Sequence, residues 1–109
     1  MASTDPAPQA TLTIPSAADT AFYTAGTDTQ GLIKALTLYN THTSRVQVTI
    51  KRDEAGSDNV TIWKGYIGSG KSKPLFECIN QGVNSGGKFT AIASVDAVVE
   101  LHSMINEVV

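Results

Sequence analysis

The chain has 109 residues, the size of one ordinary domain, so it can bury a core without cross-links. Eight Lys and Arg against ten Asp and Glu give a formal net charge of -2, so the clustered positive charge that nucleic-acid binding requires is missing and we expect no nucleic-acid partner. Only 17% of the residues are charged, against roughly 25% in an average soluble domain, so uncharged polar residues must supply much of the surface.

Cysteine content and hydropathy indicate where in the cell the protein is expected. With Cys78 as the single cysteine, the chain can form neither an internal disulfide nor a thiolate metal cluster. Residues 1–9 lack the basic start and apolar run of a secretory signal, and no apolar stretch approaches the ~20 residues that cross a bilayer. We therefore expect synthesis in the cytoplasm, a soluble protein and no membrane partner.

Residues 1–9 are small, polar and twice interrupted by proline. Such a segment buries too little apolar area to offset the entropy of ordering, which predicts a flexible N-terminal arm. The arm is either a mobile chain end or a segment that becomes ordered on a neighbouring subunit. Residues 10–109 are predicted to form a single domain, because no internal repeat or change of composition divides them.

From residue 10 onward, short runs of alternating apolar and polar residues are separated by turn formers about every ten residues. This pattern predicts an all-β protein, an antiparallel β-sandwich of jelly-roll type with about eight short strands. The predicted strands are Thr11–Ile14, Ala21–Thr24, Leu32–Asn40, Arg45–Lys51, Asn59–Ile67, Leu75–Ile79, Lys88–Ser94 and Val98–Ile105.

The clearest alternation lies in Arg45–Lys51, where Val46, Val48 and Ile50 share one face. Thr41–Ser44 has the length of a hairpin connection, so we expect this strand to pair antiparallel with the one before it. In that preceding run, the same alternation places Leu32, Lys34, Leu36 and Leu38 on one face and Ile33, Ala35, Thr37 and Tyr39 on the other.

The remaining segments are turns and one ambiguous run. Asp53–Asp58 reads as a solvated turn, and Asn80–Gly87 as a longer loop with several residues suited to positive φ. Asp96–Ile105 fits either a strand or an amphipathic helix, and its β-branched residues favour the strand.

One motif suggests nucleotide binding, because Gly65–Ser72 matches the phosphate-loop pattern of glycine, four residues, then Gly-Lys-Ser. That chemistry needs a helix whose N-terminus faces the phosphates. Pro74 stands where such a helix needs free N–H groups, and the chain is too short for the crossover helices of an α/β domain. The sequence therefore favours a glycine-rich hairpin loop with a solvated Lys71.

No other group of residues in the sequence indicates a catalytic or ligand-binding site. His42 is expected to face solvent in a threonine-rich turn and His102 to pack at a strand edge, each without a second ligand nearby. The acidic pair Asp53 and Glu54 lacks the oxygen-rich loop that calcium prefers, and no serine lies in a nucleophile elbow. We predict no catalytic, cofactor-binding or metal-binding residues, and no enzyme.

Three large aromatics, Trp63, Tyr66 and Phe76, lie in the central region. Trp63 is on the strand face opposite Val60 and Ile62. Core packing is one interpretation of these side chains. If they are exposed together, they would instead anchor a protein interface or stack on a sugar.

Three successive segments give the chain a familiar pattern: Ala21–Ala25 with its Phe-Tyr-Thr, Gly31–Thr41 ending in Asn-Thr, and Ser44–Ile50 with Val-x-Val. This order resembles small virion proteins of tailed bacteriophages over residues 10–70. The resemblance implies a β-sandwich in the phage particle and brings no functional residues with it. The loop Gly68–Lys73 departs from the pattern, so its role stays open.

The resemblance implies either a capsid decoration (cement) protein or a component of the neck or tail, located in the virion after synthesis in the host cytoplasm, and we expect the decoration protein. Such a protein would form a homo-oligomer, for example a trimer, and stabilise the shell by binding the major capsid protein or other virion subunits. Its arm and sheet edges would add contacts between copies. The alternatives are a neck, tail or baseplate structural protein, and a host-surface or carbohydrate-binding module with Trp63 or the tyrosines as a stacking platform.

Overall fold

The computed structural model describes residues 7–54 and 60–108, and in these ranges the chain is an all-β sandwich, as predicted. Two antiparallel sheets face each other across one hydrophobic core. The elements are β1 (Ala7–Pro8), β2 (Leu12–Thr13), β3 (Thr20–Thr24), β4 (Gln30–Asn40), β5 (Val46–Asp53), β6 (Val60–Ile67), β7 (Ser72–Pro74), the 3-10 helix η1 (Phe76–Cys78), β8 (Gly82–Val83), β9 (Lys88–Ala93) and β10 (Val99–Val108).

The two sheets have simple strand orders. Sheet A runs β1-β10-β4-β7, with β2 also on β10 and β8 also on β4, and sheet B runs β3-β9-β5-β6. The connection 14–19 leads from β2 at an edge of sheet A to β3 at an edge of sheet B, and the connection 68–71 leads from β6 to β7 at the opposite edges. Because both connections are short, the β2 and β3 edges lie on one side of the sandwich and the β6 and β7 edges on the other.

The core follows from the two-residue period of the strands. Val46, Val48 and Ile50 of β5 are fully buried, which confirms the predicted face. Each fully buried side chain of this size stabilises the fold by about 1.5–3 kcal/mol relative to exposure. Other strands of the two sheets contribute Ile33, Leu36 and Leu38 from β4, Phe89, Ala91 and Ala93 from β9, and Val99, Leu101 and Ile105 from β10.

The predicted faces of β4 are wrong in its first half, because the strand contains a β-bulge. Met104 lies opposite Ala35, but the next residue, Ile105, lies opposite Ile33, so Lys34 is an extra residue in the ladder. Ile33 is therefore fully buried, and Leu32 is half-buried on the outer face instead of sharing the face of Leu36 and Leu38. A strict alternation cannot anticipate an inserted residue.

The predicted hairpin across Thr41–Ser44 is also wrong, because β4 and β5 belong to different sheets. The buried side chain of Asn40 organises the crossing: its Nδ2 donates to the carbonyls of Ser44 and Ile67, both at 3.0 Å, and its Oδ1 accepts from the amide of His42 at 2.8 Å. These bonds fix a corner that carries the chain from one sheet to the other. The connection has the length of a hairpin but not its geometry.

The predicted strand Leu75–Ile79 is wrong as well, and η1 takes its place. The amide of Leu75 still donates to the carbonyl of Leu36, and the chain returns to β4 where the amide of Asn80 donates to Ile33. Between these points Leu75 and Cys78 are buried, and their three-residue spacing suits a 3-10 turn rather than a strand.

The predicted Asn80–Gly87 loop contains the short strand β8. Asn80 at φ 70° and Gly86 at φ 80° bear out the positive-φ prediction for this loop.

The first described strand, β1, pairs with the last, β10. This strand extends to Val108, which confirms strand over helix for the ambiguous run. Ala7 and Pro8, from the predicted arm, pair with Ile105 and Met104 of the same chain. Residues 1–6 of the arm and residues 55–59 of the predicted Asp53–Asp58 turn lie outside the described residues.

Candidate functional site at the sheet edges

One side of the sandwich carries a long edge strand. We call β6, the connection 68–71, β7 and η1 the β6 side; η1 lies against both β4 and β6. Within the described residues, the eight-residue strand β6 pairs only with β5. An edge strand of this length presents a row of backbone N–H and C=O groups that another chain can pair with.

Exposed apolar side chains are concentrated on the β6 side. Val60 is 41%, Tyr66 53% and Phe76 71% exposed. The other large exposed hydrophobic residues in the described ranges, Tyr39 and Met104, lie on β4 and β10 of sheet A. Single exposed hydrophobic residues are common, but a group beside an unpaired strand edge is typical of a protein interface.

Trp63 does not join this group. Its side chain is half-buried and packs against the core, and its indole lies along Gly65, where an added Cβ would stand 2.8 Å from Cζ2. Tyr66 points outward, and the Arg45 guanidinium stacks on its ring at 4.3 Å from the centroid. The structure thus separates the three aromatics that the sequence left undivided: one belongs to the core margin and two, Tyr66 and Phe76, to the surface.

The β6 side is also basic. Lys64 on β6, Lys71 in the connection and Lys73 on β7 are all exposed, and Glu77 on η1 is the acidic residue of this segment. Lysine on an edge strand discourages pairing with a second basic edge. The charges of the β6 side therefore favour a neutral or acidic surface over a second basic one.

The opposite side has a contrasting surface. We call β1, β2, the connection 14–19 and β3 the arm side. In the sequence of residues 7–24, Asp19 is the only charged residue, and its Oδ2 lies 3.1 Å from Nζ of Lys51. Ala17, Ala18 and Ala21 are exposed, and β3 pairs only with β9 among the described strands. Small side chains allow another backbone to approach closely.

A shallow cleft of about 340 Å³ lies on the outer face of sheet A. His102 is exposed there in the interior of the sheet, between the arm side and β4, so its predicted position at a strand edge is wrong. Its Nδ1 lies 3.2 Å from Oγ1 of Thr11 and its Nε2 3.3 Å from Oε1 of Glu100. The cleft is lined by Pro8, Gln9, Thr11, Ala35, Thr37, His102, Ser103 and Met104.

The phosphate-loop match has no helix. Gly65 lies in β6, the amide of Lys71 donates to the carbonyl of Gly68 at 3.1 Å, and Ser72 begins β7. Lys71 is exposed, as predicted, but the segment joins strands of two sheets, so the predicted hairpin loop is wrong. The motif therefore serves as a crossing between sheets.

The remaining candidate residues are separate from one another. His42, expected to face solvent, is half-buried. Burial, and then the charge of Glu77, raise the pKa of the Cys78 thiol to about 11. Within residues 7–54 and 60–108, no three His, Cys, Asp or Glu side chains are grouped as metal ligands, and no helix of the described chain has the length and hydropathy of a membrane span.

Comparison with known proteins shows a shared fold and no family. No protein-family model and no curated protein matches the chain. A protein of Bacillus endospore appendages, which form a family of disulfide-linked pili, superposes with a TM-score of 0.55 at 15% identity, over 97% of this chain and 85% of that one. The two proteins share the sandwich fold.

A second solved structure overlaps more loosely. It belongs to the T13 viral particle of IBDV, an icosahedral virus, and matches with a TM-score of 0.46 at 10% identity. The match covers 96% of this chain but 31% of that one. An overlap this loose supports no conclusion about the present chain.

Proposed function

We propose that this chain is a noncatalytic structural subunit of a virion: a capsid decoration protein that oligomerises and stabilises the shell by binding capsid subunits. The observation that carries the proposal is the β6 side, where an eight-residue strand that pairs only with β5 among the described strands lies beside exposed Val60, Tyr66 and Phe76. A surface of this kind binds protein.

An unpaired strand edge of this kind provides binding affinity and also fixes the register of the partner strand. Backbone groups of β6 supply hydrogen bonds in a fixed register, while the exposed aromatics supply apolar area. Aromatic anchors of this type contribute about 1–2 kcal/mol or more each in protein interfaces. One such contact is weak, but linking contacts through a many-copy assembly raises the overall affinity by about 10²–10⁴.

The fold comparison supports the same role. The Bacillus appendages are pili, so a sandwich of this topology is compatible with a repeating assembly. This chain, however, has one cysteine, and the thiol of Cys78 is buried with a raised pKa. We therefore propose noncovalent contacts between folded subunits, in contrast to disulfide-linked pili.

The alternatives differ in what they require of the same surface. A neck, tail or baseplate position needs the same adhesive edge and differs only in the partner. A carbohydrate-binding module needs an open aromatic platform, but Trp63 packs against the core and Arg45 stacks on Tyr66. The geometry therefore favours a protein partner.

Binding to particles tests the proposal. Tagged chain is incubated with empty shells, and separately with tails, of the virus that encodes it, and the bound fraction is measured after sedimentation. We expect binding to shells that Phe76→Ser weakens about tenfold. Met104→Ser removes an exposed hydrophobic side chain from an interior strand of sheet A, away from the β6 side, and is the control, which should bind like the wild type.

Each outcome of this assay tests a different part of the proposed function. Binding to tails alone would move the assignment to a tail protein. Binding to neither shells nor tails would overturn the virion function.

A further inference from the structure

The directions of the edge strands allow both sheets to continue into a second copy. Every neighbouring pair in sheet B is antiparallel, so β3 and β6, at its two edges, run in opposite directions. The same holds in sheet A for β2 and β7, which lie at the same level on either side of β10 and β4. A copy placed alongside the first, and turned only by the twist of the sheets, therefore has its β3 antiparallel to β6 of the first copy and its β2 antiparallel to β7.

Both junctions would form at once. The connection 68–71 keeps the β6 and β7 edges on the same side, and the connection 14–19 keeps the β2 and β3 edges together on the other. One lateral contact thus covers two open edges on each subunit.

The register across sheet B places specific residues at the junction. Thr61, Lys51, Thr90 and Ala21 form one row across the four strands, so Thr61 of one copy comes beside Ala21 of the next. Two residues earlier along β5, another row contains Lys64, Thr49 and Ile92. Because Thr20 pairs with Ala91, Asp19 falls at the level of Ile92, and this row brings Lys64 towards the acidic residue of the next copy.

Size and charge favour this arrangement over a symmetric one. The β6 side carries the exposed Tyr66 and Phe76 and three lysines, whereas the arm side is built of small side chains with Asp19 as its charged residue. Two β6 sides facing each other would bring lysines against lysines, which is unfavourable in paired strands. A β6 side that is large and basic is complementary to an arm side that is small and carries no lysine or arginine.

We propose that copies of this chain associate head to tail, the β6 side of one against the arm side of the next, so that both sheets run on from subunit to subunit. The inference rests on the proposed structural function and names its first partner, a second copy of the chain. A contact between unlike surfaces closes into a ring or continues as a filament, depending on the rotation per copy. The strand twist supplies that rotation.

Two single-cysteine additions test the register. Thr61→Cys and Ala21→Cys are both on exposed positions of sheet B and leave Lys64 and Asp19 intact. Under mild oxidation, we expect disulfide-linked dimers only when the two variants are mixed, and a ladder of multimers from the double variant. The wild type controls for Cys78, whose buried thiol should give no dimers.

Several results would overturn the inference. Dimers from Thr61→Cys alone would show a symmetric β6 contact. An absence of cross-links while the wild type sediments as an oligomer would show assembly through another surface, and would leave the structural function standing. At about 1 mM, a contact with a binding free energy of about 4 kcal/mol is half-formed. A wild type that stays monomeric at this concentration would rule out head-to-tail pairing. The particle-binding assay alone would then decide the structural function.

Discussion

Asn40 is the residue on which the crossing between the sheets depends. Its side chain is fully buried and bonds to Ser44, Ile67 and His42, and more weakly to the carbonyl of Gly68 at 3.2 Å. A buried amide with these partners satisfies backbone groups that would otherwise lose their hydrogen bonds to water without replacement.

Asn40→Ala should therefore lower the free energy of unfolding by about 3 kcal/mol, since it leaves the buried carbonyl of Ile67 and the partly buried backbone groups of Ser44 and His42 without this partner. Urea unfolding followed by circular dichroism measures the change. Thr43→Ala, at an exposed position of the same connection, is the control and should differ from the wild type by less than about 0.5 kcal/mol. Equal midpoints for Asn40→Ala and the wild type would show that the corner does not rely on this side chain.

Tyr23 gives the fold a dependence on alkaline pH. Its hydroxyl donates to Oε2 of Glu107 at 2.8 Å, and burial, then this hydrogen bond and the carboxylate charge, raise the Tyr23 pKa well above its usual value near 10. Because the folded state holds the proton more tightly, the stabilisation is complete below pH 10 and is lost as the pH rises through the raised pKa.

Tyr23→Phe keeps the ring over Gly31 but removes the hydroxyl. We expect a loss of about 1 kcal/mol at neutral pH and a shallower fall of the unfolding free energy above about pH 10 than in the wild type. Denaturant unfolding over a pH series measures both, and the tyrosinate absorbance should lose its latest-titrating component. An unchanged pH slope would contradict the role assigned to the hydroxyl.

The alternation of apolar and polar residues did not predict which aromatics reach the surface. Trp63 and Tyr66 lie on the same strand and Phe76 follows shortly after, and all three fit either core or interface. Gly65 decides the position of Trp63, because the missing side chain leaves space for the indole. A local glycine beside a tryptophan is a signal that sequence inspection could have used.

At the scale of the element, β6 depends on that contact between Trp63 and Gly65. Gly65→Ala places a Cβ within 2.8 Å of the indole, so Trp63 must move and the strand should lose about 1–3 kcal/mol. Urea unfolding and the tryptophan emission of the folded state report the change. Gly26→Ala is the matched control, because its added Cβ meets only Oγ1 of Thr29 at 3.8 Å. Similar effects at both glycines would contradict this account.

The alternation of side chains predicted strands better than it predicted their partners. The buried face of β5 follows directly from its valines and isoleucine, because burial on one face is a local property. The partners of β5 are β6 and β9, and neither pairing is encoded in the length of the connection to β4. Strand pairing is set by contacts far apart in sequence, so the predicted hairpin was wrong and the bulge at Lys34 and the turn η1 were not predicted.

At the scale of the whole molecule, the reactivity of the Cys78 thiol distinguishes noncovalent assembly from disulfide-linked assembly. Its thiol is buried with a pKa raised to about 11, so the reactive thiolate is scarce at neutral pH and inaccessible in the folded chain. We expect a thiol reagent to modify Cys78 only as fast as the protein unfolds, and assemblies to persist in reductant. Rapid modification under native conditions, or dissociation by reductant, would contradict noncovalent assembly.

The fold class was accessible from the sequence, whereas the candidate site was not. The length, the low fraction of charged residues and the two-residue alternation are sufficient to predict a β-sandwich. The β6 side exists because of which strands lie at the edges of the two sheets, and the order of the strands depends on the complete topology. The sequence suggested edges and an arm as contacts, but only the strand orders show that β6 and β3 are open on opposite sides.

Electron cryo-microscopy of the assembled copies tests the central claim, that the chain binds its neighbours through open sheet edges. We predict that the strand spacing of about 4.8 Å continues without a gap from β6 of one subunit to β3 of the next. Subunits that touch only through the outer faces of their sheets, with both edges left in solvent, would contradict it.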